Sequence, residues 1–182
     1  MTDPSPLHTR AQALHLHGLL AHWAAVAAAP WLPDLLQWEE QERARRSLER
    51  RLRAAQIGRF KALCDFDWSW PTRCDQAAIA ALMTLEFLKD ATNVVLQGPN
   101  GVGKTTLARN LAYQALLHGH TVRFTTAGAL LGDLAALDSD SLLRRRLRHY
   151  AAPHLLAINE GGPPPSPHPH ADFWSDPVAP PT

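Results

Sequence analysis

The spacing of hydrophobic positions changes character at about residue 93. Before that point, apolar residues recur at helical spacing between charged stretches. Residues 7–29 are rich in Leu, Ala and His, with Leu14, Leu19 and Val26 near one face, which predicts a helix ended by Pro30. A second helix is expected from about 34 to about 56, with Asp34 as its N-cap and Gly58 near its end. Leu35, Leu48, Leu52 and Ala55 would form its apolar stripe, and the run EEQERARRSLERRLRAA its charged face. Residues 60–74, FKALCDFDWSWPTRC, read as an aromatic-bearing linker. A third helix is expected over 75–89, burying Ile79, Leu82, Met83, Leu85 and Phe87.

From Asn93 onward short apolar runs alternate with helical stretches. Strands are expected at 93–97, 121–125 and 154–158. Helices are expected at about 103–118, closed by Gly119, at 126–137, and at about 140–150. Strands alternating with helices indicate crossover connections and a parallel sheet, hence an α/β core. The organisation that follows is a helical N-terminal region with its linker at 1–74, a core at 75–160, and a tail at 161–182.

The candidate chemistry lies where the first expected strand meets a helix. Val94, Val95 and Leu96 lead into Gly98, Pro99, Asn100, Gly101, Val102, Gly103, Lys104 and Thr105, followed by Thr106. This is a complete G-x-x-x-x-G-K-[ST] phosphate-binding loop in its context of strand, loop and helix. Its glycines let successive backbone N–H groups converge on phosphate oxygens, and the partial positive charge of the helix N-terminus adds to the anion site. Lys104 can reach the outer phosphates of ATP, and the Thr105 hydroxyl is placed to ligate Mg²⁺. The bland alternative, a glycine-rich turn before an ordinary helix, does not call for the Lys and Thr.

A nucleotide hydrolase of this class needs a second strand ending in an acid that holds Mg²⁺, commonly followed by a water-orienting Glu. Residues 154–160 read HLLAINE. Glu160 therefore stands as the candidate catalytic residue. Asn159 takes the position of the expected Asp, keeping an oxygen for Mg²⁺ but losing its charge. The chain then turns to GGPPPSPHPHADFWSDPVAPPT, with eight of its fifteen prolines. Such a tail is expected to be disordered. Its abrupt composition reads as the product of a shifted reading frame or premature junction. His168 and His170 within it read as incidental and not as metal ligands.

Composition narrows the picture in three respects. A net charge of +1 over 182 residues gives no global field toward nucleic acid. Cys64 and Cys74 lack CxxC spacing and read as free thiols in a reducing compartment. The N-terminus has no signal-peptide core, and no apolar run reaches the ~20 residues of a membrane span, so the cytoplasm is expected.

Positive charge concentrates locally in Arg43, Arg45, Arg46, Arg50, Arg51, Arg53, Arg59 and Lys61. One reading is contact with the DNA backbone. The other is a solvated helix face, because Glu39–Arg43, Glu42–Arg46 and Glu49–Arg53 all stand at i,i+4. A second cluster, Arg144, Arg145, Arg146 and Arg148, precedes the last strand and could meet DNA or a neighbouring protomer. Trp68 and Trp70 either stack on a base or pin the linker to the core. Trp23, Trp31 and Trp38 read as core or interface residues of the N-terminal region.

The order of these features resembles the IstB ATPase, the helper of certain insertion-sequence transposons, which is similar to the DnaC helicase loader within the AAA+ class. The resemblance is carried by LHLHGLLAHW (14–23), ERARRSLERRLRAAQIGRFKAL (42–63), DFDWSWP (65–71), LQGPNGVGKTTLARNLAYQALLHGHTVRFTTAGALLGDL (96–134) and RRRLRHYAAPHLLAINE (144–160). It implies an AAA+-like P-loop NTPase core, incomplete at the C-terminus. It also implies binding of ATP with Mg²⁺, a transposase as partner, and an ATP-driven homo-oligomer on DNA. The second motif departs from the family's Asp-Glu, and the further strands, polar sensor and arginine finger of the family have no counterpart, so hydrolysis is expected to be impaired. The alternatives are an inactive frameshifted fragment and a DNA-binding helical module with a vestigial nucleotide site.

Overall fold

The computed structural model describes residues 5–69 and 74–160. Trp70 and the tail from 161 to 182, with His168 and His170, lie outside the described residues.

The N-terminal stretch forms three short helices where one was expected: α1 (Pro6–Ala13), α2 (His17–Ala21) and α3 (Trp23–Val26). The break follows from His15, which takes a left-handed φ of 50° and turns the chain. Helix α4 (Leu32–Ala55) is continuous over 24 residues. It begins two residues before the expected start, with Pro33 in its first turn and Trp31 at the N-cap; Asp34 complements the helix dipole from inside the first turn. Gln56, in the left-handed conformation, closes it ahead of Gly58.

Helix α4 joins two apolar clusters. Its N-terminal Leu32 and Leu36 are fully buried with Ala11 and Leu14, and Trp23 packs against them. Trp31 and Trp38 are instead exposed. Its C-terminal Leu48, Leu52 and Ala55 enter the main core. The middle of α4 is polar and is tied to α1 by a bidentate pair, Arg10 Nε and Nη2 donating to the Glu40 carboxylate at 2.8 Å each.

After the linker, with a 3-10 turn at Leu63–Asp65, the expected third helix is split into α5 (Gln76–Met83) and α6 (Glu86–Lys89). Asp75 caps α5, its carboxylate accepting from the Ala78 N–H at 2.8 Å. The split falls at Leu85, which adopts a φ of 63° and is buried in the main core. Burial of this side chain overrides local helix preference.

Residues 92–99 run without assigned secondary structure, so the strand expected at 93–97 is not formed among the described residues. Val94 and Leu96 are half-buried while Val95 is exposed. The apolar run supplies extended-strand preference, but a strand also needs a neighbour to satisfy its N–H and C=O groups. Helix α7 (Lys104–Leu117) follows, then β1 (Val122–Thr126), α8 (Ala127–Ala135), α9 (Asp140–Ala151) and β2 (Leu155–Asn159). β1 and β2 pair in parallel, with Val122 opposite Leu155 and Thr126 opposite Asn159. The main core is formed around α7, where Leu111, Ala112, Ala115 and Leu116 pack on Val122 and Phe124 of β1 and on Ala55, Ile57 and Leu85. This helix-plus-parallel-strand arrangement agrees with a P-loop NTPase-like α/β unit.

Candidate functional site

In parallel α/β units ligands bind beyond the carboxyl ends of the strands. Here that end presents Thr126 and Asn159 side by side, and the N-terminus of α7 faces Asn159. The Thr105 hydroxyl donates to Asn159 Oδ1 at 3.0 Å. Two stretches far apart in sequence, the glycine-rich loop and the end of the last strand, thereby meet at one point.

The loop is shaped by its glycines. Gly101 and Gly103 hold φ values of 84° and 91°, the left-handed region that favours glycine. Gly103 has a further reason to lack a side chain: an added Cβ would lie 2.5 Å from Phe66 Cε2 and 2.9 Å from Cζ. It is also the N-cap of α7, so the first N–H groups of that helix open toward the loop. Lys104 folds back over the loop, its Nζ donating to the carbonyls of Gly98 and Pro99 at 2.7 and 2.8 Å. Thr106 supplies its carbonyl to Asn110 Nδ2 at 2.9 Å, which fixes the first turn. Glu160 is exposed and directly follows Asn159 at the end of β2.

Backbone N–H groups at a helix N-terminus, with a lysine above them, can hold an anion. The Thr105 hydroxyl and the Asn159 amide oxygen are two hard oxygen donors within hydrogen-bond distance of each other, a donor set that suits Mg²⁺ when phosphate oxygens and waters complete its octahedron. Among the described residues no group of three His, Cys, Asp or Glu side chains is arranged as a self-contained metal cage. Cys64 and Cys74 are both free thiols.

A model of the IstB-like ATP binding protein family matches residues 6–171. The chain belongs to that family. It is 29% identical over 165 residues to the protein named for ATP binding in insertion sequence IS5376 of Geobacillus stearothermophilus, covering 86% of this chain and 66% of that protein. It is 34% identical over 127 residues to the corresponding IS21 protein of Pseudomonas aeruginosa, covering 70% of this chain and 48% of the relative. An insertion-sequence protein of Mycobacterium tuberculosis is 33% identical over 167 residues, with 87% and 66% covered. The chain thus spans between about half and two-thirds of the length of these relatives.

Two electrostatic features of this IstB-like chain lie away from the loop. On α4 the three i,i+4 pairs form, Glu39–Arg43 at 3.5 Å, Glu42–Arg46 at 2.6 Å and Glu49–Arg53 at 3.8 Å. Arg45 additionally binds both Glu42 and Glu49. Hydrogen bonds from Arg45 and then Arg46 pull the Glu42 carboxyl down from its ordinary 4.5 to about 2. Arg51 ties α4 to α7, donating to the Leu116 carbonyl at 3.1 Å. On α9, Arg146 meets Asp133 at 3.4 Å, and Asp133 also accepts the Tyr150 hydroxyl at 2.8 Å. That bond, reinforced by burial, pushes the Tyr150 phenol up. Arg144, Arg145 and Arg148 are exposed and have no acidic partner among the described residues.

Sequence reasoning singled out residues 98–106, Asn159 and Glu160, and did not single out Phe66, Arg109 or Asn110. Arg109 Nη1 donates to the Arg59 carbonyl at 2.7 Å, and Asn110 Nδ2 to the Lys61 carbonyl at 2.9 Å. Together they hold the linker along α7. A polar Asn on the otherwise apolar buried face of α7 was the available signal.

Proposed function

We propose that the chain binds ATP with Mg²⁺ through residues 98–106 and serves as a nucleotide-dependent helper of insertion-sequence transposition. The observation that carries this is the Thr105–Asn159 hydrogen bond, which brings the end of β2 onto the first turn behind a complete phosphate loop. Phosphate oxygens would be held by the N–H groups from Gly101 to Thr105. Lys104 would exchange the Gly98 and Pro99 carbonyls for them. Thr105 and Asn159 would hold Mg²⁺, which neutralises charge on the phosphoryl oxygens. Glu160 would orient the attacking water.

Calorimetric titration tests the reading. ATP binds the wild-type chain, and Lys104→Ala removes most of that affinity; equal affinity in the two proteins overturns it. Hydrolysis is expected to stay near background, because Asn159 contributes no charge toward the cation. Steady-state turnover above ~1 s⁻¹ would contradict that expectation.

The relatives are named for insertion sequences, and a transposase is the partner this reading implies, together with self-association on DNA in the cytoplasm. Arg43, Arg45, Arg46 and Arg53 of α4 meet acids of their own helix, whereas Arg50 and Arg51 of α4 and Arg144, Arg145 and Arg148 of α9 meet none among the described residues. The run of unpaired arginines on α9 is therefore a second candidate for the DNA contact, beside residues 43–61. Alanine substitution of those three arginines should lower both DNA affinity and its salt dependence. An unchanged salt slope returns the contact to α4.

A further inference from the structure

The two strands end side by side at Thr126 and Asn159, and neither side chain carries a charge. Thr126 caps α8, its hydroxyl accepting from the Ala129 N–H at 3.1 Å. Asn159 is half-buried and accepts the Thr105 hydroxyl through Oδ1 at 3.0 Å. With Oδ1 engaged in this way, the Nδ2 amide has no partner among the described residues. The end of β2 thus offers an unused N–H donor, and no negative charge, beside the first turn of α7.

The charge at this point decides what the site asks of a nucleotide. An acid at the end of the strand holds Mg²⁺ beside the phosphates of a P-loop site. Without the cation, the same acid would stand as a negative charge close to negative phosphate oxygens, and the two would repel. Nucleotide and cation then have to bind together. Here the strand ends in a neutral amide, so that repulsion is absent. Lys104 is paired with no carboxylate among the described residues, its Nζ donating to the carbonyls of Gly98 and Pro99. Its full charge is therefore available to phosphate. Glu160, next along the chain, is exposed, and solvent and salt screen its charge.

We propose that this chain takes the triphosphate of a nucleotide without requiring a divalent cation, with Asn159 Nδ2 donating to a phosphate oxygen where an acid would need the cation in between. This rests on the reading of residues 98–106 as a phosphate site. Thr105 and the Asn159 oxygen can still hold Mg²⁺, but the cation adds little to affinity. Asn159 thereby uncouples occupancy of the site from the cation on which phosphoryl transfer depends. The site retains nucleotide whether or not the cation is present.

The test titrates ATP into the full chain by calorimetry, once in excess Mg²⁺ and once in EDTA. The two affinities of wild type are expected to agree within about fivefold, no more than one neutral hydrogen bond is worth. Asn159→Asp, which adds the negative charge at unchanged size, is expected to lose about tenfold or more in EDTA and to recover in Mg²⁺. Asn159→Ala, which removes the donor without adding charge, is expected to lose about fivefold in EDTA. Circular dichroism establishes that each variant is folded. The proposal is overturned if wild type loses more than that margin in EDTA, if Asn159→Asp is indifferent to the cation, or if Asn159→Ala binds ATP in EDTA as tightly as wild type. In each of those cases an affinity for ATP with Mg²⁺ that is lost in Lys104→Ala preserves the phosphate reading. If folded wild type binds ATP in neither buffer, the phosphate reading fails and this proposal with it.

Discussion

Gly103→Ala isolates the contact between linker and loop, and its cost can be worked from two separate terms. The backbone term arises because Gly103 holds a φ of 91°, where an L-residue is strained by about 1–2 kcal/mol. The packing term arises because the new methyl would lie 2.5 Å from one Phe66 ring carbon and 2.9 Å from another. A phenyl ring cannot bend aside as a lysine tip can. Moving it means shifting a linker whose carbonyls at Arg59 and Lys61 are held from α7. Overpacking of this kind costs about 1–3 kcal/mol. Gly103→Ala should therefore destabilise by roughly 2–5 kcal/mol in all. A double-mutant cycle separates the terms. In a Phe66→Ala background the ring is gone, and Gly103→Ala should cost only the backbone part. The coupling energy between the two sites is then about 1–3 kcal/mol, in the sense that the second substitution is milder after the first. Urea unfolding followed by circular dichroism measures all four proteins. Strict additivity would mean that the Phe66 ring does not rest on Gly103.

Two further outcomes check the packing and the charge network. Leu116→Ala removes a fully buried side chain of α7 from the centre of the main core and should cost about 2–5 kcal/mol. Leu131→Ala, at an exposed position of α8, should stay within about 0.5 kcal/mol, and denaturant midpoints decide between a core centred on α7 and one centred elsewhere. For Glu42 the folded-state value lies below the ordinary one, so its contribution to stability is fully present above 4.5 and is lost as pH falls toward about 2. Thermal midpoints of wild type should fall across that window, and Glu42→Gln should flatten part of the decline; an identical pH profile in the two proteins would mean that the Arg45 and Arg46 contacts carry no stability.

What the sequence disclosed depended on how locally each feature is encoded. The Asp75 cap, the turn at Gly119 with a φ of 88°, and the Thr126 cap of α8 are decided by a few neighbouring residues. The helix ends at these three points were placed within a residue or two, although the helix behind Asp75 was expected to run on to 89 and stops at Met83. The loop at 98–105 is local in the same sense, since its shape follows from Gly101 and Gly103. The i,i+4 pairs on α4 formed as expected because helical geometry alone brings them together. The split at Leu85 was illegible, because its left-handed backbone accompanies burial in the main core, which the local run does not specify; His15 takes the same conformation at an exposed position.

The segment at 93–97 shows where local reading stops most clearly. Val94, Val95 and Leu96 favour extended backbone, and that preference is real in the half-burial of alternate residues. Strand formation, however, is a property of a pair, and hydrogen-bond partners are chosen by topology at long range. The contact of Phe66 with Gly103 is non-local in the same way. Aromatic alternation in DFDWSW announced that rings would be present, yet only the path fixed by Arg109 and Asn110 decides which backbone they meet. Thr105 and Asn159 were legible for the opposite reason. Each sits at the end of its own local motif, and on the proposed reading of the site, binding a cation beside a phosphate would bring those two ends together. The proposed nucleotide site thus accounts for one long-range contact, while packing contacts of the same range became visible only in the folded chain.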